Sequence, residues 1–449
     1  MTATPASPAG ARPARQPRRG PADLPFHFAD RDLAEALAAE RSEPDWLRAD
    51  RLEAAKAFEA LPVEGNQLYT PYIDLRAASL DDVRPYVTDS PAGLEPGAEA
   101  PLPDGVIVEP FDAWLARDPE TARSALDGGG SLPSDDKLAM LARGFWSHGR
   151  HVEIAAGAML EAPILLRWPA AAPGRALIGR TIVTAGEGAS AAIVEEQIPF
   201  GPAIECAAGE TVPQGLFHGT TEVVVGRGAS IAFASIQDLP EGQVAFQHRW
   251  ASIGEGASLH WALAQLGSRL VRSRVDNRLV GDHASVEQVE IVFGGGDQLF
   301  DLTSYTRHLG RDTTGNLLSK GVLLDRARSY LKGLITIEKS AIGTDSYLGE
   351  FGMNLSKAAR AVAIPSLEID QPDCRRAAHS SAVGPIDPVQ LFYLESRGIP
   401  PDEARKFIVL GFLEPVVARV PLDSARDQLR ELLEAKWAAG LASVEGAAA

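Results

Sequence analysis

Short apolar runs separated by small residues fill the middle of the chain. Between about residues 151 and 370, runs of Val, Ile and Thr alternate with Ala, Ser and Gly, as in RTIVTAGEGASAAIVEEQ and TTEVVVGRGASIAFASIQ. Runs of this length and composition, bounded by glycine, are typical of β-strands. Each segment has the form strand, Gly-x-Gly-Ala-Ser, strand, which predicts a region of strands joined by similar corners.

The corner motif recurs along this region. Its first glycines are Gly186, Gly226 and Gly254, spaced by 40 and 28 residues, and a degenerate copy, GDHAS, begins 27 residues later at Gly281. Glycine adopts the positive φ of a tight corner, and the Ala and Ser that follow can stack on their counterparts in neighbouring turns. Recurrent corners of this kind indicate a stacked β-solenoid. The alternative is a β-sandwich whose hairpins share a turn.

Helical patterns flank the strands on both sides. Residues 29–62 are rich in Ala, Leu, Glu and Arg, and Pro44 is suited to begin the second half of this stretch. Further on, Asp387 can cap a helix that Gly398 ends, and a second helix begins at Pro401. A third helix, PLDSARDQLRELLEAKW, places apolar residues along one face: Leu422, Ala425, Leu429, Leu432 and Leu433.

These changes in pattern divide the chain into four parts. The first 20 residues contain four arginines and no acidic residue, which is typical of a disordered tail. The predicted parts are a disordered basic tail at 1–28, an N-terminal helical region with a lead-in at 29–150, a β-solenoid core at 151–370 and a C-terminal helical domain at 371–449.

The charge balance limits the kinds of partner. The 449 residues contain 43 Lys and Arg against 60 Asp and Glu, and the net charge of −17 argues against binding to nucleic acid or anionic lipid. No apolar run is long enough to cross a membrane. Two cysteines, Cys206 and Cys374, are too few for a disulfide framework. The composition therefore predicts a cytoplasmic globular protein.

Catalytic motifs are absent, and the histidines are the remaining candidates. The sequence contains no phosphate-binding loop, zinc-protease motif, thiol pair or nucleophile elbow. His148 and His151 have a spacing that could meet a metal, but a strand or turn does not place them on one face. His379 lies where the solenoid is expected to end, and its imidazole could ligate iron or hydrogen-bond a turn carbonyl. The residues alone leave both roles open.

Several motifs near the C-terminal end resemble those of one family. The segments SYLKGLITIEKSAIGTDSYLGEFGMNLS, SLEID and HSSAVGPIDPVQLFYLESRGIPPDEARKFIVLGF are similar to the SufB/SufD family of iron–sulfur cluster assembly proteins. The N-terminal SEPDWLRADRLEAAKAFEALP also resembles that family, so the likeness covers most of the chain beyond residue 29. His379 stands where SufD proteins have a histidine and SufB proteins a glutamate, and Ile369 replaces a SufB cysteine. Within the family, the chain resembles SufD.

The resemblance implies a fold and a role. The expected fold is a right-handed parallel β-helix between helical domains, in a non-catalytic scaffold subunit that pairs with SufB and binds the ATPase SufC through its C-terminal helices. A transient iron–sulfur cluster would be shared with SufB, with His379 as a ligand. Reduced FAD is associated with complexes of this family, although no stretch of this sequence forms a flavin fingerprint. The residues expected to dock the ATPase are Leu391, Phe392, Leu394, Phe407, Ile408 and Phe412.

Some features depart from the family pattern and keep alternatives open. Ala377 stands where some SufD proteins have a cysteine, Ser380 replaces a glycine, and Cys374 lies too far from His379 to take over the missing role. One alternative is a SufB-like scaffold that works as a homodimer. Another is a β-helix enzyme acting on acidic polysaccharide, with candidate groove residues Asp301, Arg307, Arg311 and Asp312.

Overall fold

The computed structural model describes most of the chain. The described residues are 24, 26–94, 102–129, 132–199 and 213–446, with side chains as far as 440. The tail predicted at residues 1–28 lies outside them, apart from residue 24 and residues 26–28. Cys206 lies outside them as well.

Two parallel sheets form the centre of the molecule. The larger sheet has the strand order β17 (Arg360–Ile369), β15 (Arg328–Ile337), β13 (Leu299–His308), β11 (Leu270–Leu279), β9 (Gln243–Ile253), β7 (Gly215–Val225), β5 (Arg175–Ala185), β3 (His148–Ile154) and β2 (Val106–Pro110), with β1 (Arg84–Pro85) beside β5. The smaller sheet has the order β18 (Arg376–Gly384), β16 (Asp345–Asn354), β14 (Thr314–Leu323), β12 (Ser285–Gly294), β10 (Ser258–Gln265), β8 (Ser230–Gln237), β6 (Ser190–Ile198) and β4 (Ile164–Pro169).

The chain alternates between the two sheets and so winds into a β-helix. Successive odd and even strands from β3/β4 to β17/β18 make eight turns, and every described neighbouring pair is parallel except β2 with β3. The predicted parallel β-solenoid is confirmed, and the sandwich alternative is wrong because its hairpins would pair antiparallel strands. The right-handed twist of the winding stays a prediction. His379 lies in the last strand, and not in the helical region that begins at 371 in the sequence-based division.

The corner motif works with its two glycines in different roles. The first glycine must lack a side chain because corners stack closely: a Cβ on Gly226 would lie 2.7 Å from the carbonyl oxygen of Ala185. The positive φ belongs to the second glycine, where the sequence interpretation gave it to the first. The serines of the motif stack in register, as predicted. Within these motifs, the residues with positive φ are Gly188, Gly228, Gly256 and, in the degenerate copy, His283.

Five helices cover the outer face of the larger sheet near its first turns. They are α1 (Arg31–Glu40), α2 (Asp45–Ala60), α3 (Phe111–Arg117), α4 (Pro119–Leu126) and α5 (Lys137–Phe145). The first two confirm the helical prediction for residues 29–62, with Pro44 immediately before α2. Apolar side chains of α2 and α5, such as Phe58 and Phe145, share one core with Leu270 and Leu299 of the sheet.

Three helices follow the last strand. They are α6 (Pro388–Ser396), α7 (Pro401–Val417) and α8 (Asp423–Gly446). Asp387 caps α6 as predicted, since its carboxylate accepts a hydrogen bond from the backbone N–H of Val389 at 2.9 Å. The apolar face predicted for the third helix is buried against the outer face of the smaller sheet. That face is therefore part of the core.

Candidate functional site

The β-helix ends in two adjacent open strands. β17 pairs with β15 and β18 pairs with β16, and no further described strand lies on their other sides. An open strand edge presents backbone N–H and C=O groups that a strand of another chain can pair with. Apolar side chains are exposed at this end, with Ile369 46% and Val383 42% accessible. We call the last turn, formed by β17 and β18, the open end.

His379 points into the inside of the β-helix at the open end. It lies in register with Leu348 of β16, which is fully buried among Ile335 and Ile337 inside the β-helix. Residues in register on parallel strands lie on the same face of the sheet, so the imidazole faces inward too. It is exposed because no described turn covers it. Its side chain makes no hydrogen bond with another described residue, so the turn-carbonyl role is not found.

The neighbours of His379 do not complete a metal site. Ala377 and Ser381 flank it on the same inward face, and Cys374 lies half-buried in the turn before β18. In the described part of the chain, no three His, Cys, Asp or Glu side chains gather into a group that could hold a metal ion. A cluster bound at this position would need ligands from outside the described residues.

A buried carboxyl group lies one turn below this face. Glu350 of β16 is in register with Ser381 and is fully buried. Its Oε2 accepts a hydrogen bond from the backbone N–H of Ile364 in β17 at 2.7 Å. Burial raises the pKa of Glu350 to about 8. Sequence reasoning missed this residue, and the only signal for it was an acid at an inward position of a strand.

An apolar surface follows the open end in the chain. Helix α6 contains no buried residue, although it carries the run LFYL. The exposed large apolar side chains of α6 and α7 are Val389 at 71%, Phe392 at 70%, Phe407 at 58% and Tyr393 at 56%. We call these four residues the apolar face. Large exposed apolar groups of this kind mark interaction surfaces.

The six residues predicted to dock the ATPase fall into two groups. Phe392 and Phe407 belong to the apolar face, whereas the others are half-buried: Leu391, Leu394, Ile408 and Phe412. Leu391 lines a cavity of about 300 Å³ beside Trp437. The ammonium of Lys320 lies 4.5 Å from the ring centroid of Phe412 and donates to its carbonyl oxygen at 2.9 Å. Val389 and Tyr393 were missed, although they lie in the same apolar run.

The other two candidate histidines, His148 and His151, have structural partners. His148 Nε2 lies 2.9 Å from Ser90 Oγ, and burial lowers its pKa to about 4. The ring of His151 stacks on Trp114 with the centroids 3.6 Å apart, and burial lowers its pKa as well. These separate partners give no sign of a shared metal.

Three of the four residues suggested for a polysaccharide groove are held in ion pairs. Asp301 is buried between Arg272 at 2.6 Å and Lys332 at 2.5 Å. Arg307 pairs with Glu338, and Asp312 pairs with Arg375. These contacts give Asp301, Arg307 and Asp312 structural partners within the β-helix.

The sequence matches one family over most of the β-helix. A family model described as SUF system FeS cluster assembly, SufBD core domain, matches residues 169–412. The chain belongs to the SufBD family. The match reaches from the end of β4 into α7, so it includes the open end with His379 and the apolar face. Membership of the SufBD family confirms the resemblance and assigns the chain to iron–sulfur cluster assembly.

Individual SufBD relatives align along nearly the whole chain. The iron–sulfur cluster assembly protein SufD of Bacillus subtilis is 27% identical over an alignment of 440 positions, which covers 91% of this chain and 98% of that protein. SufBD family proteins of Staphylococcus haemolyticus and Staphylococcus epidermidis are 23% and 24% identical over alignments of 455 positions. These alignments cover 91% of this chain and 94% of each relative. Within the described residues, no helix combines the length and apolar character that crossing a membrane requires.

Proposed function

We propose that the chain is a non-catalytic, SufD-like scaffold subunit that pairs with a SufB-like subunit and binds the SufC ATPase. It helps to form or transfer a nascent iron–sulfur cluster where the two scaffold subunits meet. The observation that carries this proposal is the exposed imidazole of His379 on the inner face of the open end. The proposed location is the cytoplasm, and reduced flavin in the complex stays a prediction.

The open end supports the pairing with a second scaffold subunit. β17 and β18 offer two parallel strand edges of 10 and 9 residues side by side. Strands of a partner can add to such edges through backbone hydrogen bonds, while the exposed Ile369 and Val383 lose contact with water. A partner seated there brings its own side chains next to His379. A second copy of this chain could use the same edges, which is the homodimer alternative.

The ligand chemistry supports a cluster that is shared between chains. A neutral imidazole is a suitable ligand for iron, and the described residues place no other group with it to form a complete site. The iron and sulfide are the cargo of the assembly, and His379 contributes one ligand. The partner contributes the others.

The apolar face supports ATPase binding next to this site. Helix α6 begins four residues after β18 ends, so the helices and the strand of His379 are joined by a short segment. Movement of an ATPase bound to Phe392 and Phe407 would be transmitted to the last strand. ATP-driven dimerisation of the ATPase would then shift the subunit interface and expose the nascent ligands.

The test is His379→Ala in a complex co-expressed with the SufB-like and SufC proteins. We expect the complex to assemble normally, because an exposed imidazole contributes little packing, and its iron and sulfide content to fall sharply. The matched control is Ser381→Ala, on the same strand and the same inward face. Iron, sulfide and visible absorbance are measured after purification. A normal iron and sulfide content in His379→Ala would contradict the ligand role. A stable complex without SufB would favour the homodimer.

A further inference from the structure

A concave pocket rich in arginine lies on a corner of the β-helix, away from His379. Its volume is about 320 Å³, and it lies between residues 74–77 of the N-terminal region and the turns that precede β11, β13 and β15. Four arginines and two aspartates line it: Arg76, Arg269, Arg326, Arg328, Asp74 and Asp297. The pocket therefore has an excess of two positive charges in a chain whose net charge is −17.

The arginines of the pocket outnumber the carboxylates that could neutralise them. Asp297 accepts two hydrogen bonds of 2.6 Å from Arg326, and Arg269 lies 3.8 Å from the same carboxylate. Asp74 is likewise bound by Arg76, with an Nε to Oδ1 distance of 2.8 Å. The two aspartates are thus already engaged by their own arginines.

Arg328 is left free between the two ion pairs. Its side chain is exposed, and the guanidinium forms no hydrogen bond or ion pair with another described residue. The hydrogen bonds from Arg76 lower the pKa of Asp74 and those from Arg326 lower the pKa of Asp297, and the charge of Arg328 lowers both further. Its guanidinium therefore lies within electrostatic reach of both carboxylates and is bound by neither. The next arginine in register, Arg360 of β17, is also exposed and unpaired among the described residues.

We propose that this pocket binds the phosphate group of a small molecule, with Arg328 as the principal contact and Arg269 beside it. A phosphate group carries close to two negative charges at neutral pH, which matches the two excess positive charges of the pocket. A single carboxylate would neutralise only one of them. Guanidinium groups bind phosphate through paired N–H donors. The volume is that of a small-molecule site.

Calorimetric titration of the full-length chain at low ionic strength tests the proposal, with inorganic phosphate, pyrophosphate and adenosine diphosphate as probes. We expect saturable binding at one site, and Arg328→Gln should weaken it roughly tenfold or more, because a charged hydrogen-bonding partner is lost. The order of affinity among the probes shows whether free phosphate or the phosphate of a nucleotide is preferred. Thermal unfolding of each variant shows whether it is folded.

Two further variants make the result specific. Arg227→Gln is the matched control, because Arg227 is also an exposed corner arginine of the β-helix but pairs with Glu255 far from the pocket. It should leave the affinity unchanged. Asp297→Asn removes the competing carboxylate and should tighten binding. The proposal is overturned if no probe saturates, if Arg227→Gln weakens binding as much as Arg328→Gln, or if Asp297→Asn weakens it.

Discussion

The two ends of the β-helix are finished in different ways. At the first end, β2 pairs with the outer edge of β3, and helices α3 and α5 bury Phe111 and Trp146 beside it. At the open end, β17 and β18 have no further described strand, and Ile369 and Val383 remain exposed. At the first end, the larger sheet is thus continued by its own chain, and only β4 of the smaller sheet has no further described neighbour. At the open end, both strands have such edges beside exposed apolar groups that another chain could cover.

Charged groups show the same difference. Near the first end, Arg51 is fully buried, binds both carboxylate oxygens of Glu43 at 2.7 Å and lies 4.1 Å from the ring centroid of Trp146. Near the open end, Arg376 and Asp345 form an exposed pair at 2.6 Å. Buried pairs fix one arrangement because neither charge can be left alone, while exposed pairs contribute little. Of these two pairs, the buried one near the first end has a fixed geometry, whereas the exposed one near the open end is free to rearrange.

The largest effect on stability is expected from breaking the buried pair of the first end. Glu43→Ala should lower the free energy of unfolding by about 3–5 kcal/mol, because the guanidinium of Arg51 would stay buried without its counter-charge. The matched control is Glu35→Ala, which removes the exposed pair with Arg48 and should cost under about 1 kcal/mol. Denaturant unfolding of the purified chain measures both. Equal losses in the two variants would show that burial does not distinguish the pairs.

A change of pH should have a smaller effect on the free energy of unfolding. Buried histidines and a buried glutamate make this free energy depend on pH with opposite signs. Burial lowers the pKa of His218, beneath α5, and of His308, in β13, to about 4, below the value near 6.5 in an unfolded chain. The unfolded state therefore binds more protons between these values, and stability falls as the pH drops from about 6.5 towards 4. Burial raises the pKa of Glu350, near the open end, to about 8, so stability also falls as the pH rises towards 8.

Two variants separate the acid limb of the stability curve, which is the loss towards pH 4, from the alkaline limb, which is the loss towards pH 8. His308→Gln should flatten the acid limb, with the exposed His27→Gln as its control. Glu350→Gln should flatten the alkaline limb and steepen the acid limb, because the buried carboxyl group opposes the histidines between about pH 4.5 and 6.5. The measurement is the free energy of unfolding from denaturant titrations between about pH 5 and pH 8.5. An alkaline limb that is unchanged in Glu350→Gln would mean that the carboxyl group of the penultimate turn is not the one that titrates.

The architecture could be predicted because the corners repeat. Stacking demands a small residue at the same place in each turn, and this demand is visible in the motifs at Gly186, Gly226 and Gly254. The roles of the two glycines within each motif could not be separated from the sequence, because close stacking and a positive φ both favour glycine. The end of the stack was also hidden, since β18, with the sequence RAAHSSAVG, has few of the β-branched residues that mark the earlier strands.

The candidate site could be predicted only in part, because strand register and packing decide which of its side chains face inward or are exposed. A motif pointed to His379, but its inward direction depends on its register with Leu348, which strand pairing sets and local pattern does not. Glu350 had no local signal, since an acid in a strand usually faces water. On the C-terminal helices, Phe392 and Phe412 look alike in sequence, and only packing shows that the first is exposed and the second lies against Lys320.

The smallest effect on stability, with the sharpest effect on binding, is expected on the apolar face. Phe407→Asp and Phe392→Asp should change the free energy of unfolding by under about 0.5 kcal/mol, because both rings are already mostly in water, yet they should abolish binding of the SufC ATPase. Met159→Asp is the matched control, since Met159 is 73% exposed near the first end and should leave binding intact. Phe412→Asp should instead lower the unfolding temperature, because its half-buried ring packs against the core. Co-purification with the ATPase and thermal unfolding distinguish the cases, and normal ATPase binding by Phe407→Asp would place the docking surface elsewhere.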